Sequence, residues 1–291
     1  IAILSLMVFS ATQFLLGELE AGSNSSSVLF AEQMADRGIA IASHSAVEEG
    51  DPVLRQEFSD GSGFEARVGS EGGRLPINSL LARAEVDRIV LEELFYQWGL
   101  RSDEAVEVVD NLIDWVDEDD ARTGQGAELP FYLARERRNQ PYNRPFRSLD
   151  EMELVHRFDL VMAANPAWRE AFTVLSSGKL DLTEAAAELI AAACQCPLES
   201  ARLFVETRHG FDEIPGTDDD PPLESMEVVL ASLNPPAELL PVIEERITLE
   251  EPVKRLVSVG RYGGIAVERT ATVSYNGERG NILRWTTRRL P

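Results

Sequence analysis

Apolar residues are spaced along this chain in two different periods, and the change from one to the other marks out its regions. Ile1 to Leu16 is apolar except for Ser5, Ser10, Thr12 and Gln13, and no charge precedes Glu18. After a Gly- and Ser-rich stretch from Gly17 to Ser27, apolar residues return at helical spacing from Val28 to Val47, through Leu29, Met34, Ile39 and Ile41. This predicts one long, kinked helix whose second half is amphipathic and lies on a partner surface. Leu54 to Phe58 and Phe64 to Val68 then alternate apolar and polar residues around Ser59-Asp60-Gly61-Ser62-Gly63, the pattern of a hairpin and its loop. Strand signals come back only at the far end. There Lys254 to Val259, Ile265 to Tyr275 and Ile282 to Thr287 are rich in β-branched and aromatic residues, with Gly263-Gly264 and Asn276-Gly277 as turns.

Between these strands the three-and-four spacing of helices prevails. It is seen over Arg88 to Trp98, Asp103 to Trp115, Leu149 to Phe158, Thr183 to Ala193, Leu198 to Thr207 and Pro236 to Ile247. The order of long helix, strands, all-helical block and strands predicts an α+β chain in which a large helical domain is inserted into a small sheet. The boundaries follow: 1–49 for the N-terminal helix, 50–74 for the first strands, 75–251 for the inserted helices and 252–291 for the last strands. A weak repeat runs through the insertion. The segment from Leu75 to Ala82, a helix and then Ser102 to Trp115 recurs in outline as Leu180 to Ala187, a helix and then Pro197 to Arg208. Asn78 and Thr183 stand where a helix N-cap is wanted, so local capping by itself accounts for this likeness as well as a duplication does.

Charge narrows the partners. Fifty acidic against 27 basic residues give a formal charge of −23, so a nucleic-acid groove would work against the field of the whole molecule, and cations are the better small partners. The basic residues gather late. Val253 to Pro291 holds Lys254, Arg255, Arg261, Arg269, Arg279, Arg284, Arg288 and Arg289 against only Glu268 and Glu278. The two cysteines, Cys194 and Cys196, are one residue apart. They are too few for a disulfide framework and lack partners for a metal set; a structural role and a strained pair disulfide are the two readings. The run from Ile1 to Leu16 would reach roughly 24 Å as a helix, a little short of a bilayer span. It reads as a retained membrane anchor; the competing reading, a signal peptide, lacks a visible basic region and cleavage site.

The chemistry lies in one acidic segment. Asp110, Asp114, Asp117, Glu118, Asp119, Asp120 and Glu128 accompany a single base, Arg122. Such density repels itself unless water or a cation neutralises it. Asp110, Asp114 and Asp117 recur at helical spacing, and the turn Thr123-Gly124-Gln125-Gly126 can return the chain toward Glu128. Hard oxygen ligands and free carbonyls of this kind suit Ca²⁺, with Asp114, Asp117, Asp119, Asp120, Thr123 and Glu128 as the candidate set. The pattern is not an EF-hand; a solvated acidic helix end is the alternative. Asp212, Glu213 and Asp218, in a loop with Pro215, Gly216, Pro221 and Pro222, form a weaker second candidate.

Other function classes find little support. His44, His156 and His209 are scattered, and no His-Glu-x-x-His, Gly-x-Ser-x-Gly or phosphate loop occurs. A metal-assisted hydrolase would rest on paired carboxylates alone. The opening Leu75-Pro-Ile-Asn-Ser-Leu resembles a helix-hairpin-helix nucleic-acid module, yet the Gly-rich hairpin and basic surroundings such a module needs are missing. No catalytic residue and no nucleic-acid partner are therefore expected.

Four segments together resemble the general secretion pathway protein K family. They are Gly73-Arg-Leu-Pro-Ile-Asn-Ser-Leu-Leu81, Ile113-Asp-Trp-Val-Asp-Glu-Asp-Asp120 with Gly126-Ala-Glu128, Asn143-Arg-Pro-Phe-Arg-Ser-Leu-Asp-Glu151, and Ile282-Leu-Arg-Trp285. The resemblance implies a pilin-like fold, with a long N-terminal helix on a small antiparallel sheet and an inserted helical domain. It implies a minor pseudopilin that caps the pseudopilus of the type II secretion machinery and initiates its assembly with two others, of I-type and J-type. It also implies a single-pass anchor in the Gram-negative inner membrane through Ile1 to Leu16, a periplasmic globular part, and one or two Ca²⁺ ions in the helical domain.

Overall fold

The computed structural model describes residues 25–211, 217, 220–223, 225–277 and 279–290. The chain divides into two units, one formed by the residues up to Gly69 together with those from Lys254 onward, the other by Ser70–Val253.

The first unit is a helix on an antiparallel sheet. Helix α1 spans 25–42 and buries Ala31, Met34, Ala35, Ile39 and Ala42. Strands β1 (Arg55–Glu57), β2 (Gly63–Ser70), β7 (Val253–Tyr262), β8 (Ile265–Asn276) and β9 (Arg279–Arg289) form one sheet in the order β1-β2-β7-β8-β9. The first hairpin pairs Arg55 with Glu65 and Glu57 with Gly63, and Asp60 Oδ1 ties its loop by accepting the Ser62 N–H at 3.0 Å. Phe64, Ala66, Leu256, Ala271 and Val273 meet Met34, Ile39 and Leu54 in a compact core. Small residues let the helix sit close: a Cβ on Gly260 would stand 2.1 Å from Ala31 O and 2.2 Å from Ala35 N. The last three strands run longer than the sequence pattern predicts because the β8–β9 ladder continues through polar positions, from Val267↔Arg289 to Asn276↔Arg279, with one bulge at Thr272/Val273.

The second unit is mainly helical. Its helices are α2 (Ile77–Ala82), α3 (Ala84–Gln97), α4 (Ser102–Val116), α5 (Leu129–Leu133), α6 (Phe158–Ala164), α7 (Ala187–Cys194), α8 (Leu198–Arg208), α9 (Met226–Leu233) and α10 (Leu240–Arg246). They surround Phe95, Trp115, Tyr132, Phe158 and Phe172, all fully buried. The unit is not wholly helical, as the pattern predicts it to be. Two short parallel ladders close it, β3 (Leu75–Pro76) with β4 (Phe172–Thr173) and β5 (Leu180–Asp181) with β6 (Ile247–Thr248).

Several predicted helix limits move, each for a local reason. Leu149–Leu154 is a 3-10 helix; the chain then extends at Val155, and α6 begins only after Arg157 at φ 68°. Thr183 caps nothing: Asp181 Oδ1 takes its N–H at 3.0 Å and its hydroxyl at 2.7 Å, so α7 starts at Ala187. Asn78 lies inside α2 and holds Phe146 from both sides, donating to its O at 2.9 Å and accepting from its N at 2.8 Å. The two supposed caps thus do different work, and capping does not explain the repeat. Over Pro236 to Ile247 a 3-10 turn (Ala237–Leu239) precedes α10, which has Pro241 in its first turn.

A buried ion pair ties the helices together. Arg246 Nε donates to Asp87 Oδ1 at 2.7 Å, and its other nitrogens reach Ala193 O at 3.3 Å and Val86 O at 3.0 Å. Among the described residues no helix is long and apolar enough to cross a membrane. The expected anchor, Ile1 to Leu16, lies outside the described residues.

Candidate metal centre

Helix α4 presents Val108, Val109, Leu112 and Trp115 to the core, and the same spacing buries Asp110 and Asp114 one turn apart. Burial of two carboxylates on one helix needs compensation, and the returning loop provides part of it. Thr123 N donates to Asp114 Oδ1 at 2.8 Å, Gln125 N donates to Asp110 Oδ2 at 2.9 Å, and Gly126 N closes the turn on Thr123 O at 2.7 Å. The loop comes this near only because it carries glycine. A Cβ on Gly126 would stand 2.1 Å from Asp114 Oδ2, and one on Gly124, at φ 49°, 2.3 Å from Asp110 Oδ2.

The remaining carboxylate oxygens converge without donors. Asp117 leaves the helix as its C-cap, with ψ 163°, and Glu128 precedes α5. Ligand oxygens of Asp114, Asp117 and Glu128 lie within 4.8 Å of one another. Asp114 is 0% and Glu128 5% exposed. Asp114 Oδ2, Asp117 Oδ1 and both Glu128 oxygens are buried with no hydrogen-bond partner in the protein. Burial, reinforced by Asp114 and Asp117, pushes the Glu128 carboxyl up to about 7. Burial, reinforced by Asp114 and Asp119, pushes Asp117 up to about 6. Asp114 is also raised, by burial first. Protein donors leave this charge uncompensated, and hard oxygen donors in such a cluster fit a hard divalent cation.

Of the residues expected here, Asp114, Asp117 and Glu128 are brought together, and Thr123 is tied in through its N–H. Asp119 and Asp120 are exposed, and Asp119 Oδ1 accepts the Ala121 N–H at 2.7 Å, so neither belongs to the cluster. Their adjacency in sequence is undone by the extended backbone at Asp117, which breaks the helical row. Asp110 is occupied otherwise: Arg88 donates to its Oδ1 at 2.8 Å while also holding Glu92 at 2.6 Å. Sequence reasoning misses Arg88; its signal was a lone base at one-turn spacing from Glu92. It also misses Asn143, which donates from N to Trp115 O at 3.1 Å and from Nδ2 to Asp119 O at 3.3 Å, closing the loop. Asp212, Glu213 and Asp218 lie outside the described residues.

The histidines are dispersed. His44 accepts the Ala46 N–H at 3.2 Å, His156 packs tilted against Phe131 with centroids 4.2 Å apart, and His209 lies beside the Arg208 guanidinium. Cys194 and Cys196 are free, buried thiols, and burial pushes Cys196 up to about 11.

A comparison with known protein families falls on the same region. Residues 73–165, which contain the carboxylate cluster and the Asn143 loop, match the sequence model of the family described as "Type II secretion system (T2SS), protein K". No curated protein matches. Among solved structures, the chain is similar to one from the GspK-GspI-GspJ complex of the enterotoxigenic Escherichia coli type 2 secretion system. Identity is 15% and the TM-score 0.65, with 95% of this chain and 98% of that chain covered.

Proposed function

We propose, from the match of residues 73–165 to the type II secretion system protein K family and the likeness of fold to a chain of the GspK-GspI-GspJ complex, that this chain belongs to that family and is a minor pseudopilin that caps the pseudopilus tip and starts its assembly. The observation that carries the reading is the interrupted fold. A helix on an antiparallel sheet, the unit that repeats in a filament, is broken between β2 and β7 by Ser70–Val253, which exceeds it in length. A filament interior has to accommodate every subunit's full volume between neighbours; an end does not. One copy at the tip is the stoichiometry such a subunit suits. The related complex brings together GspK, GspI and GspJ, and two further minor pseudopilins of I-type and J-type are the partners we assign here. The run Ile1 to Leu16 supports a single-pass inner-membrane anchor, with both described units in the periplasm. We assign no catalytic role, nor the nucleic-acid role of the alternative reading: the acidic charge and the dispersed histidines favour neither.

The cluster Asp114, Asp117 and Glu128 would hold Ca²⁺ and supply compensation of buried charge, fixing the loop from Asp117 to Glu128 on helix α4. This role is structural and adds rigidity to the helical unit. The assembly reading is tested by mixing the purified chain with the I-type and J-type subunits and measuring mass by sedimentation. A single complex with one copy of this chain is expected; self-polymerisation of this chain, or no complex over a hundredfold concentration range, overturns it.

A further inference from the structure

The last strand of the sheet is built unlike the others. Strand β9 is the outer strand beyond β8, and among the described residues nothing pairs with its free edge. Edge strands are usually short or covered, since the outward N–H and C=O groups of alternate residues invite another strand. This one is long, and its large apolar side chains at 282 and 285 share one face, with Arg289 at the far end of that face opposite Val267. Trp285 and Ile282 stand opposite Ala271 and Val273, so they share the face on which α1 packs. Yet they are 41% and 56% exposed, whereas Ala271 and Val273 are buried. The reason is width: five strands about 4.8 Å apart span about 19 Å, and one helix of about 10 Å cannot cover them. On the other face, Arg284 stands opposite Thr272 and Arg288 opposite Glu268, with Arg288 Nε 3.5 Å from Glu268 Oε1 and its side chain still largely exposed, and β9 contains no acidic residue.

We propose that the free edge of β9 is a docking site for an extended partner segment that alternates apolar and acidic residues, adding a sixth strand to the sheet. Cross-strand neighbours share a face. The apolar side chains of such a segment would lie beside Trp285 and Ile282, and its carboxylates beside Arg284 and Arg288. Charge selects against a second copy of this chain, because pairing β9 with β9 sets arginines against arginines in one sheet. The inference rests on the reading of the chain as an assembly subunit and names a surface for it.

The test uses the full chain, with amide hydrogen exchange along β9 as the readout. Two end-blocked peptides serve as probes, one alternating valine with glutamate and the other valine with lysine. The glutamate peptide at millimolar concentration is expected to slow exchange of the β9 amides at least tenfold, and the lysine peptide to leave it unchanged. In the double variant Arg284→Glu, Arg288→Glu the preference reverses, which a merely destabilised sheet cannot produce; circular dichroism of the variant checks its fold. Equal protection by both peptides, or by neither, overturns the proposal. So does protection that grows with protein concentration alone, which would assign the edge to a second copy, or protection by phosphatidylglycerol vesicles only, which would assign it to lipid. A chain that joins the three-subunit complex while its β9 amides stay fast in exchange loses this site and keeps the assembly role.

Discussion

The Arg88 guanidinium donates to Asp110 Oδ1 at 2.8 Å, one helical turn before Asp114, whose Oδ2 is buried without a partner. Two aspartates on the same face of α4 thus have opposite fates. Asp110 is neutralised from within the protein by Arg88 and the Gln125 N–H, and anchors the loop. Asp114 keeps a free oxygen toward Asp117 and Glu128. The pair divides an acidic segment into a fixed part and a part open to a cation.

Ca²⁺ should therefore raise the melting temperature, and Mg²⁺ should do so less, because the smaller ion gives up its waters reluctantly. An ion that binds only the folded state adds about 2.7 kcal/mol at a hundredfold excess over Kd. Asp117→Ala and Glu128→Ala should remove most of this gain. Asp119→Ala and Asp120→Ala should leave most of it, since both residues are exposed and neither is among the converging carboxylates. Calorimetry with Ca²⁺ and with chelator decides the matter: identical melting curves for the unmutated chain would falsify the cation site.

The raised carboxyls set a pH dependence in the presence of chelator. Glu128, pushed to about 7, and Asp117, pushed to about 6, hold protons in the folded chain that the unfolded chain releases at ordinary carboxylate values. Their stabilising contribution is full below about pH 4 and is lost as pH rises through 6 and 7. The ion-free protein should become less stable between pH 5 and about 7.5, and Ca²⁺ should cancel the decline. Glu128→Gln should flatten the curve; thermal melts at four pH values would show it.

Arg246 and Asp87 are each 2% exposed. Arg246→Ala leaves Asp87 with Arg83 alone, whose Nε stands 3.4 Å from Oδ2, so the variant should cost about 3 kcal/mol in urea unfolding, the lower end for a broken buried pair. The lost bonds to Ala193 and Val86 work in the same direction. A cost under about 1 kcal/mol would mean that water reaches the pair.

Gly260→Ala should loosen α1 from the sheet, because the added carbon meets Ala31 O and Ala35 N at 2.1 and 2.2 Å. Overpacking of this kind costs about 1–3 kcal/mol. Proteolysis within 25–42 should accelerate, while the Ca²⁺ response, which resides in Ser70–Val253, should be unchanged.

Much of this arrangement is legible before folding, since it depends on local periodicity. The change from alternating to three-and-four spacing at Leu75, and back at Lys254, follows from which side chains a strand or a helix turns inward, and it places the helical insertion between strands. The gathering of Asp110, Asp114, Asp117 and Glu128 around a Gly-containing turn is equally visible. Other features depend on partners far apart in sequence. Nothing near Asp87 announces Arg246, and nothing near Asn78 announces Phe146. Thr183 reads as a helix cap until β5 pairs with β6 and Asp181 takes its donors. Which carboxylates converge without a donor was decided in the same way. The extended backbone at Asp117 turns Asp119 and Asp120 to solvent, while Arg88, arriving from another helix, withdraws Asp110. Composition and spacing determine that acids accumulate here; only the packing of α3 against α4 and the return of the loop decide which of them remain without a partner, because a buried charge is settled by whichever donor can reach it in space.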